Sequence, residues 1–312
     1  MSKKIKTVFV VGPTASGKTA LGIEIAKKFG GEIVSADSMQ IYKSIHIASA
    51  APDEREMAGI PHHLIEFIDT SEQFSVADYV KEARKCIYEI SARGKLPIVV
   101  GGTGLYISSL LDNTEYTEEK TDYSVRKKYE ERFDELGGDQ MLIELEAFDP
   151  ETAKRLHPNN RRRIIRAFEV YELTGKTVTE QNLLSHQNSS FIDPLVIGIT
   201  YNDRELLYER INTRVDLMLK KGLLEEAALN NPASNSKGGF QAIGHKELYG
   251  YINGDSTLED ATELLKQQTR RYAKRQLTWF RRDNRINWIF ADLCDSVVEK
   301  ANELTEKFLK EE

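Results

Sequence analysis

A segment close to the N-terminus has the residue types and spacing of a phosphate-binding loop. Residues 12–19 read GPTASGKT and match the pattern GxxxxGK[ST], between an apolar run and a helix-like segment. Glycines let backbone amides point at phosphate oxygens, a lysine adds a positive charge, and a hydroxyl can bind Mg²⁺. The expected phosphate-binding residues are Gly12, Thr14, Ala15, Ser16, Gly17, Lys18 and Thr19, with Thr19 as the Mg²⁺ ligand.

The loop alone leaves its phosphate compound open, because ATP, GTP and a lipid diphosphate present the same oxygens. A glycine-rich turn without a ligand is the alternative. Asp37 follows the second apolar run, and Thr103 follows the third, where an ordinary NTPase has an acidic residue for its metal. Asp37 could instead cap a helix, and Thr103 could be a turn hydroxyl.

Five short apolar runs predict the strands that must position these residues. They are 7–11, 32–35, 97–100, 195–200 and 286–290. Most are continuous, which is typical of parallel strands covered by helices on both faces. Apolar residues at helical spacing lie between them, and Ser75 is the expected N-cap of one helix. We expect an α/β fold with a P-loop nucleoside-kinase-like core, a parallel sheet and an inserted all-helical domain.

A region without strand patterns interrupts this order between about residues 113 and 193. It is helical in pattern, and its flanks are polar, as the hinges of an inserted domain are. We predict a catalytic core made of residues 1–113 and 194–312, with a basic helix near its end, and a helical insertion at 114–193.

Composition excludes several classes of protein. Of 312 residues, 40% are hydrophobic and 29% are charged, and no stretch approaches the ~18 apolar residues of a membrane span. The two cysteines are far apart without a CxxC pattern, which excludes a zinc knuckle and a disulfide framework. The net charge of −6 argues against a protein that is basic all over. We expect a cytoplasmic monomer that does not bind membranes.

Two clusters of basic residues are candidates for binding nucleic acid. The first lies in the predicted insertion and consists of Lys154, Arg155, Arg161, Arg162, Arg163 and Arg166. The second lies near the C-terminus, where the spacing predicts one basic face of a helix formed by Arg270, Lys274, Arg281 and Arg285. Aromatic residues between them are interpreted as core, and a solvated charge run is the alternative for each cluster.

Several strings together resemble the bacterial tRNA dimethylallyltransferases, also called tRNA isopentenyltransferases. They are GPTASGKT from Gly12, SADSMQIY from Ser35, GIPHHLI from Gly59, FSVADY from Phe74, GGTGLY from Gly101, RRRIIRAFE from Arg161, RVDLML from Arg214, AIGHKEL from Ala242 and TRRYAKRQLTWFRR from Thr269. The resemblance runs almost end to end. It implies transfer of a dimethylallyl group from dimethylallyl diphosphate to the exocyclic amine of the adenine 3′ to the anticodon of tRNA, with release of diphosphate.

The resemblance assigns roles to residues of this chain. The phosphate loop and Mg²⁺ would hold the diphosphate, Asp37 would accept the proton of the amine, and Thr103 would hydrogen-bond near the same centre. Arg214 would stabilise the leaving group. The residues implied to contact tRNA are Asp37, Ser38, Met39, Gln40, Thr103, Arg126, Arg161, Arg162, Arg163, Ile164, Ile165, Gln241, Ala242, Ile243, Gly244, His245, Lys246, Arg270, Lys274, Arg275 and Arg281.

Two segments depart from the family pattern. Ala48-Ser49-Ala50 stands where Gly-Thr-Ala-Lys is expected, and His245 replaces a commoner tyrosine. Three alternatives to the tRNA enzyme remain open: a P-loop nucleotide kinase or ATPase, a prenyltransferase that acts on free adenine nucleotides, and an RNA-binding protein without catalysis. The first is disfavoured by the Gly-Gly-Thr sequence at residues 101–103.

Overall fold

A computed structural model describes residues 4–114, 116, 123–185, 190–231 and 242–311 of the chain. The chain divides into two compact units. Unit 1 contains Met1–Leu111 and Phe191–Glu312, and unit 2 contains Asp112–Ser190. In the described ranges, no helix is both long and apolar enough to cross a membrane.

Unit 1 is built on one parallel sheet. Its strands within the described residues are β1 (Ile5–Val11), β2 (Gly31–Ser35), β3 (His62–His63), β4 (Leu96–Gly101), β5 (Ile192–Thr200) and β6 (Ile286–Phe290). They lie in the order β3-β2-β4-β1-β5-β6, and each neighbouring pair is parallel. The carboxyl ends of β1, β2 and β4 therefore meet at one edge of the sheet, where such sheets bind ligands.

Helices connect the strands and form unit 2. The first part of unit 1 contains α1 (Lys18–Phe29), α2 (His46–Ser49), α3 (Glu54–Met57), α4 (Val76–Ala92) and α5 (Gly104–Leu111). Unit 2 contains α6 (Tyr123–Glu146), α7 (Pro150–Arg155), α8 (Arg161–Thr174) and α9 (Val178–Ser185). The second part of unit 1 contains α10 (Arg204–Lys220), α11 (Leu223–Leu229), α12 (His245–Ile252), α13 (Leu258–Phe280) and α14 (Val297–Lys310).

Local sequence explains where the helices around the site begin and end. Helix α1 starts directly after Gly17 and ends at Gly30, whose φ of 66° is left-handed. Helix α4 begins with a capping box: the Asp78 amide donates to Ser75 Oγ (3.2 Å), and the Ser75 amide donates to Asp78 Oδ2 (2.8 Å). The prediction that Ser75 caps this helix is confirmed.

The core of unit 1 surrounds the sheet. Val10, Ile98 and Ile197 on the three central strands are fully buried, and they pack with Ile25 of α1 and Phe308 of α14. Burying one such side chain contributes about 1.5–3 kcal/mol. Because the central strands are covered on both faces, their sequences are continuous apolar runs.

Unit 2 has a core of its own. Met141, Ile164 and Phe168 pack together inside it. Gly137 breaks α6 with non-helical angles of φ 74° and ψ 167°. The buried carboxylate of Asp149 accepts hydrogen bonds from the Thr152 amide (3.1 Å) and the Thr179 hydroxyl (2.6 Å), and so ties α7 to the start of α9.

The predicted α/β fold with a parallel sheet is confirmed, and two details differ. Strand β3 was not predicted, because its two residues are too short for a pattern. Helix α13 ends at Phe280, with Arg281 as its C-cap, and Arg285 lies beyond it and pairs with Asp283 at 2.7 Å. The prediction that Arg281 and Arg285 continue one helical face is therefore wrong.

Candidate active site

A cleft of about 250 Å³ lies at the carboxyl edge of the sheet in unit 1. Segments that are far apart in sequence line it: the phosphate loop, the turns after β2 and β4, and helices α10 and α13. The lining includes Thr14, Lys18, Thr19, Asp37, Ser38, Met39, Gln40, Gly101, Gly102, Arg214, Tyr272 and Gln276. A second cavity of about 580 Å³ also has Lys18, Thr19 and Arg214 among its lining residues.

The phosphate loop has the backbone geometry that its sequence predicts. Gly12 has a φ of 146°, and a Cβ on it would lie 2.2 Å from the Ile199 carbonyl oxygen, so β5 leaves no room for a side chain. Gly17 has a φ of 100°, which also favours glycine. The Ser16 hydroxyl is buried and has no hydrogen-bond partner among the described residues. Such an orphan group in a phosphate loop fits a ligand that would satisfy it.

Two cations converge on this loop. Burial, together with the nearby Arg214 guanidinium, lowers the pKa of Lys18 to about 7, while Asp37 opposes the shift. Burial also lowers the pKa of Arg214, again against the attraction of Asp37. The ammonium of Lys18 donates to the Pro13 carbonyl at 2.7 Å. Two partly desolvated cations close to each other are costly without an anion, which is the arrangement expected of a diphosphate site.

Asp37 and Thr103 lie close together, as the sequence predicts. Asp37 Oδ1 accepts from the Met39 amide at 2.9 Å, and Thr103 Oγ1 accepts from the Ser38 amide at 3.0 Å. The Thr103 amide donates to the Ala36 carbonyl at 3.1 Å. These bonds fix the turn after β2 to the turn after β4, so the carboxylate and the hydroxyl are presented on adjoining turns.

Helix α13 contributes residues to the cleft that include Tyr272, an aromatic residue predicted to lie in the core, and Gln276, for which the sequence predicted no role. Trp279 is 37% exposed and donates through Nε1 to the Ser108 hydroxyl at 2.9 Å. Tyr272, Gln276 and Trp279 are spaced by four and three residues, which places them on one face of the helix. This pattern was overlooked in the sequence because basic residues lie between them.

Two predicted tRNA contacts are engaged inside the protein. Gln40 Oε1 accepts from the Ser35 hydroxyl (2.8 Å), and Gln40 Nε2 donates to the Ala50 carbonyl (3.2 Å), so both ends of this amide are engaged within the protein. The side chain of His245 is fully buried, with Nε2 2.8 Å from Glu226 Oε1. The His245 side chain therefore has no exposed surface that tRNA could contact in this structure, contrary to the prediction.

Glu226 also connects the two departures from the family pattern. Besides His245, it binds the amides of Ile47 (2.6 Å) and Ala48 (2.9 Å) at the start of α2. Ala48, Ser49 and Ala50 line the cleft. The histidine thus supports, through Glu226, the segment that carries the other departure. No local sequence pattern indicates this contact.

In unit 2, the predicted tRNA contacts divide by exposure. Arg162 and Arg163 are exposed on α8, whereas Ile164 and Ile165 are buried and offer RNA no side-chain surface. The other two arginines are ion-paired. Arg161 binds Asp134, and Arg126 Nε lies 3.0 Å from Glu130 Oε1.

In unit 1, the predicted contacts also differ in environment. Ile243 and Gly244 line the cleft, Ala242 is buried, and Gln241 lies outside the described residues. The solvent-facing cations are Lys274, Arg275 and Arg281. Arg270 instead donates to Asn212 Oδ1 at 2.7 Å, and the Lys246 ammonium lies 3.7 Å from Glu247.

The residues present fit a Mg²⁺ ion that depends on substrate for most of its ligands. The described part of the chain has no cluster of three or more His, Cys, Asp or Glu side chains that would form a protein-only metal cage. The cleft instead places the Thr19 hydroxyl beside a phosphate loop. Mg²⁺ is typically held in this way, by one or two protein oxygens together with substrate phosphates.

Comparisons with known proteins agree on one family. The model of the family described as IPP transferase matches residues 40–283. A tRNA dimethylallyltransferase of Bacillus subtilis is 49% identical over 286 residues, which are 91% of this chain and 90% of the relative. One from Caldanaerobacter subterraneus subsp. tengcongensis is 46% identical over 291 residues, 92% of each chain.

Solved structures agree with these relatives. A tRNA isopentenylpyrophosphate transferase from Bacillus halodurans has a TM-score of 0.73 and 40% identity, covering 98% of this chain and 97% of its own. A eukaryotic dimethylallyltransferase acting on tRNA has a TM-score of 0.81 and 31% identity, covering 98% and 79%. On the strength of the family match and these identities, the chain belongs to the tRNA dimethylallyltransferase (IPP transferase) family of prenyltransferases.

Proposed function

We propose that this protein transfers a dimethylallyl group from dimethylallyl diphosphate to the exocyclic amine of the adenine 3′ to the anticodon of tRNA. Family membership supports a prenyltransferase that acts on tRNA. The observation that supports the finer assignment is one cleft that combines two cations at a phosphate loop with Asp37, whose turn is hydrogen-bonded to Thr103.

The diphosphate end of the reaction belongs to the phosphate loop. Its amides, together with Lys18 and Arg214, would bind the diphosphate and stabilise the negative charge that grows as the bond between carbon and oxygen breaks. Thr19 would hold Mg²⁺, which when bound supplies further charge neutralisation on the diphosphate oxygens. No phosphoanhydride bond needs to be cleaved, which is consistent with Gly101-Gly102-Thr103 in place of an NTPase acid at the end of β4.

The acceptor end belongs to Asp37 and Thr103. An adenine amine is a weak nucleophile, because its lone pair is delocalised into the ring. As the nitrogen forms its bond to the allylic carbon, the carboxylate of Asp37 takes the proton that the nitrogen must lose. Diphosphate leaves with the electron pair of the broken bond, so atoms and charge balance.

Recognition of tRNA requires the target base to leave its stack. Extrusion costs a few kcal/mol, which backbone contacts offset. Exposed cations suited to such contacts are present in both units, and they include Arg162, Arg163, Lys274, Arg275 and Arg281.

The test is a transfer assay with dimethylallyl diphosphate, Mg²⁺ and an anticodon stem-loop. We expect one dimethylallyl group to be added to the adenine 3′ to the anticodon, detected by the mass of the digested nucleoside, with one diphosphate released. Prenylation of AMP at the same efficiency would favour an enzyme of free nucleotides. Phosphate release from ATP without any prenyl donor would favour a kinase or ATPase instead.

A further inference from the structure

The side chain of Gln276 joins two turns of the cleft from a third element. It lies on α13 and is 5% exposed. Its Oε1 accepts from the Thr14 amide of the phosphate loop at 2.8 Å, and its Nε2 donates to the Gly102 carbonyl after β4 at 2.9 Å. A buried carboxamide with both ends bonded specifies the separation of its partners.

The turn after β4 is shaped to admit this helix. A Cβ on Gly102 would lie 2.2 Å from Gln276 Nε2, and a Cβ on Gly104 would lie 2.4 Å from Cδ1 of Trp279. Neither glycine has a positive φ, so close packing and not backbone conformation explains both. Two glycines of the GGTG segment therefore make room for α13, with Thr103 held between them.

The same helix presents cations to solvent. Arg271, Lys274 and Arg275 are exposed, whereas Tyr272 and Gln276 line the cleft. Helix α13 therefore connects a surface suited to RNA with the two turns that hold the reacting groups.

We propose that Gln276 is a positioning residue, which holds the phosphate loop in register with the turn that carries Thr103. This inference rests on the proposed function. The diphosphate binds at the loop and the adenine amine reacts beside Asp37 and Thr103, so the separation of these turns sets the distance between donor and acceptor. A misplacement of about 1 Å in such a geometry can cost ~10²-fold in rate.

The first test replaces Gln276 by methionine, which has a similar length and neither donates nor accepts a strong hydrogen bond. We expect the Kd for inorganic diphosphate and the KM for dimethylallyl diphosphate to rise about tenfold, because the two hydrogen bonds that hold the loop are lost. We also expect kcat to fall about tenfold or more, with the Kd for tRNA unchanged within about twofold. Gln267→Met, at an exposed position of the same helix, is the matched control and leaves all four constants unchanged.

The second test is Gln276→Glu, which keeps an acceptor for the Thr14 amide but places a carboxylate oxygen against the Gly102 carbonyl. Only the protonated acid can donate to that carbonyl. Burial at this position disfavours the carboxylate and raises the pKa of the introduced acid, so the activity of this variant relative to the parent enzyme should rise as the pH falls from 8 to 6. A side chain that only fills space would give a ratio independent of pH, as Gln267→Glu should.

A double-mutant cycle separates positioning from general packing. Gly102→Ala should displace the carboxamide and reproduce the effect of Gln276→Met, so the double variant should be scarcely worse than either single variant. The proposal would be overturned if Gln276→Met had the same Kd for diphosphate, KM for dimethylallyl diphosphate and kcat as the parent enzyme. If the methionine variant does not fold, a pH-independent ratio of Gln276→Glu activity to parent activity would overturn it. Failure of the parent enzyme to prenylate tRNA would instead contradict the proposed function.

Discussion

Lys18 and Arg214 set the charge of the cleft at the scale of single residues. Each cation is partly desolvated and close to the other, with Asp37 as the carboxylate that offsets them. The pKa of Lys18, about 7 against an ordinary value of 10.5, means that this amine is largely neutral above pH 8 in the free protein. A diphosphate favours the ammonium form and raises its pKa again.

Binding of dimethylallyl diphosphate should therefore be coupled to proton uptake. At pH 8 the complex should gain up to one proton at Lys18, and affinity should fall by at most tenfold per unit as the pH rises above about 7. Below pH 7 the amine is already charged, so this uptake disappears. Calorimetry at pH 8 in two buffers with different ionisation enthalpies measures the proton count. Equal heats in both buffers would contradict the expectation, and Lys18→Arg, which stays protonated, should abolish the uptake.

An isosteric substitution of Asp37 can separate its role in prenyl transfer from any role in tRNA binding. Asp37→Asn keeps an oxygen for the Met39 amide but loses the base, so prenyl transfer should fall by ~10²–10⁴-fold while the Kd for tRNA changes little. Single-turnover transfer and filter binding of the anticodon stem-loop measure the two effects. Asp255→Asn, at an exposed position, is the control. Unchanged turnover in Asp37→Asn would remove Asp37 from the role of base.

At the scale of elements, helix ends and helix faces place these residues. Helix α1 aims its N-terminus at the phosphate loop, and α13 divides into a cleft face and a charged face. Helix α4 packs beneath the sheet without lining the cleft, since its buried side chains, including Val80 and Ile87, belong to the core. Its contribution is expected to be stability alone.

The capping box of α4 allows the contribution of this helix to stability to be tested. Ser75→Ala removes the acceptor for the Asp78 amide and should lower the free energy of unfolding by about 1 kcal/mol. Urea unfolding followed by circular dichroism measures this change. Ser91→Ala in the last turn of the same helix removes no cap and should not destabilise. An altered KM for dimethylallyl diphosphate in Ser75→Ala would indicate that α4 does more than support the fold.

At the scale of the whole molecule, two units with separate cores both carry exposed cations. Arg162 lies on α8 of unit 2, and Lys274 lies on α13 of unit 1. The net charge of −6 means that attraction to RNA depends on such local surfaces rather than on the protein as a whole.

If the exposed cations of α8 and of α13 contact the same tRNA, the effects of their substitutions on tRNA binding should add. Arg162→Ala and Lys274→Ala should each weaken tRNA binding and reduce the slope of log K against log salt by about 0.7–0.9, and the double variant by about twice that. Binding titrations between 50 and 200 mM salt, roughly the range in which such contacts dominate, measure the slopes. Lys300→Ala on α14 should leave the slope unchanged. A normal slope in either single variant would exclude that residue from the interface.

The features that could be predicted from the sequence are local ones. The phosphate loop, the cap at Ser75 and the apolar strands each form within a contiguous segment, where residue type and spacing specify the hydrogen bonds or the burial. The order of those segments then predicted a parallel sheet, with Asp37 and Thr103 at the carboxyl ends of two of its strands.

Contacts between groups that are far apart in the sequence are seen in the tertiary structure and could not be predicted. The bond from Thr14 to Gln276 spans 262 positions, and no local pattern marks the glutamine as a partner of the loop. The burial of His245 against Glu226 and the engagement of the Gln40 amide depend likewise on neighbours brought in by folding. Long-range contacts arise from the packing of whole elements, so the residue types on one segment do not specify them.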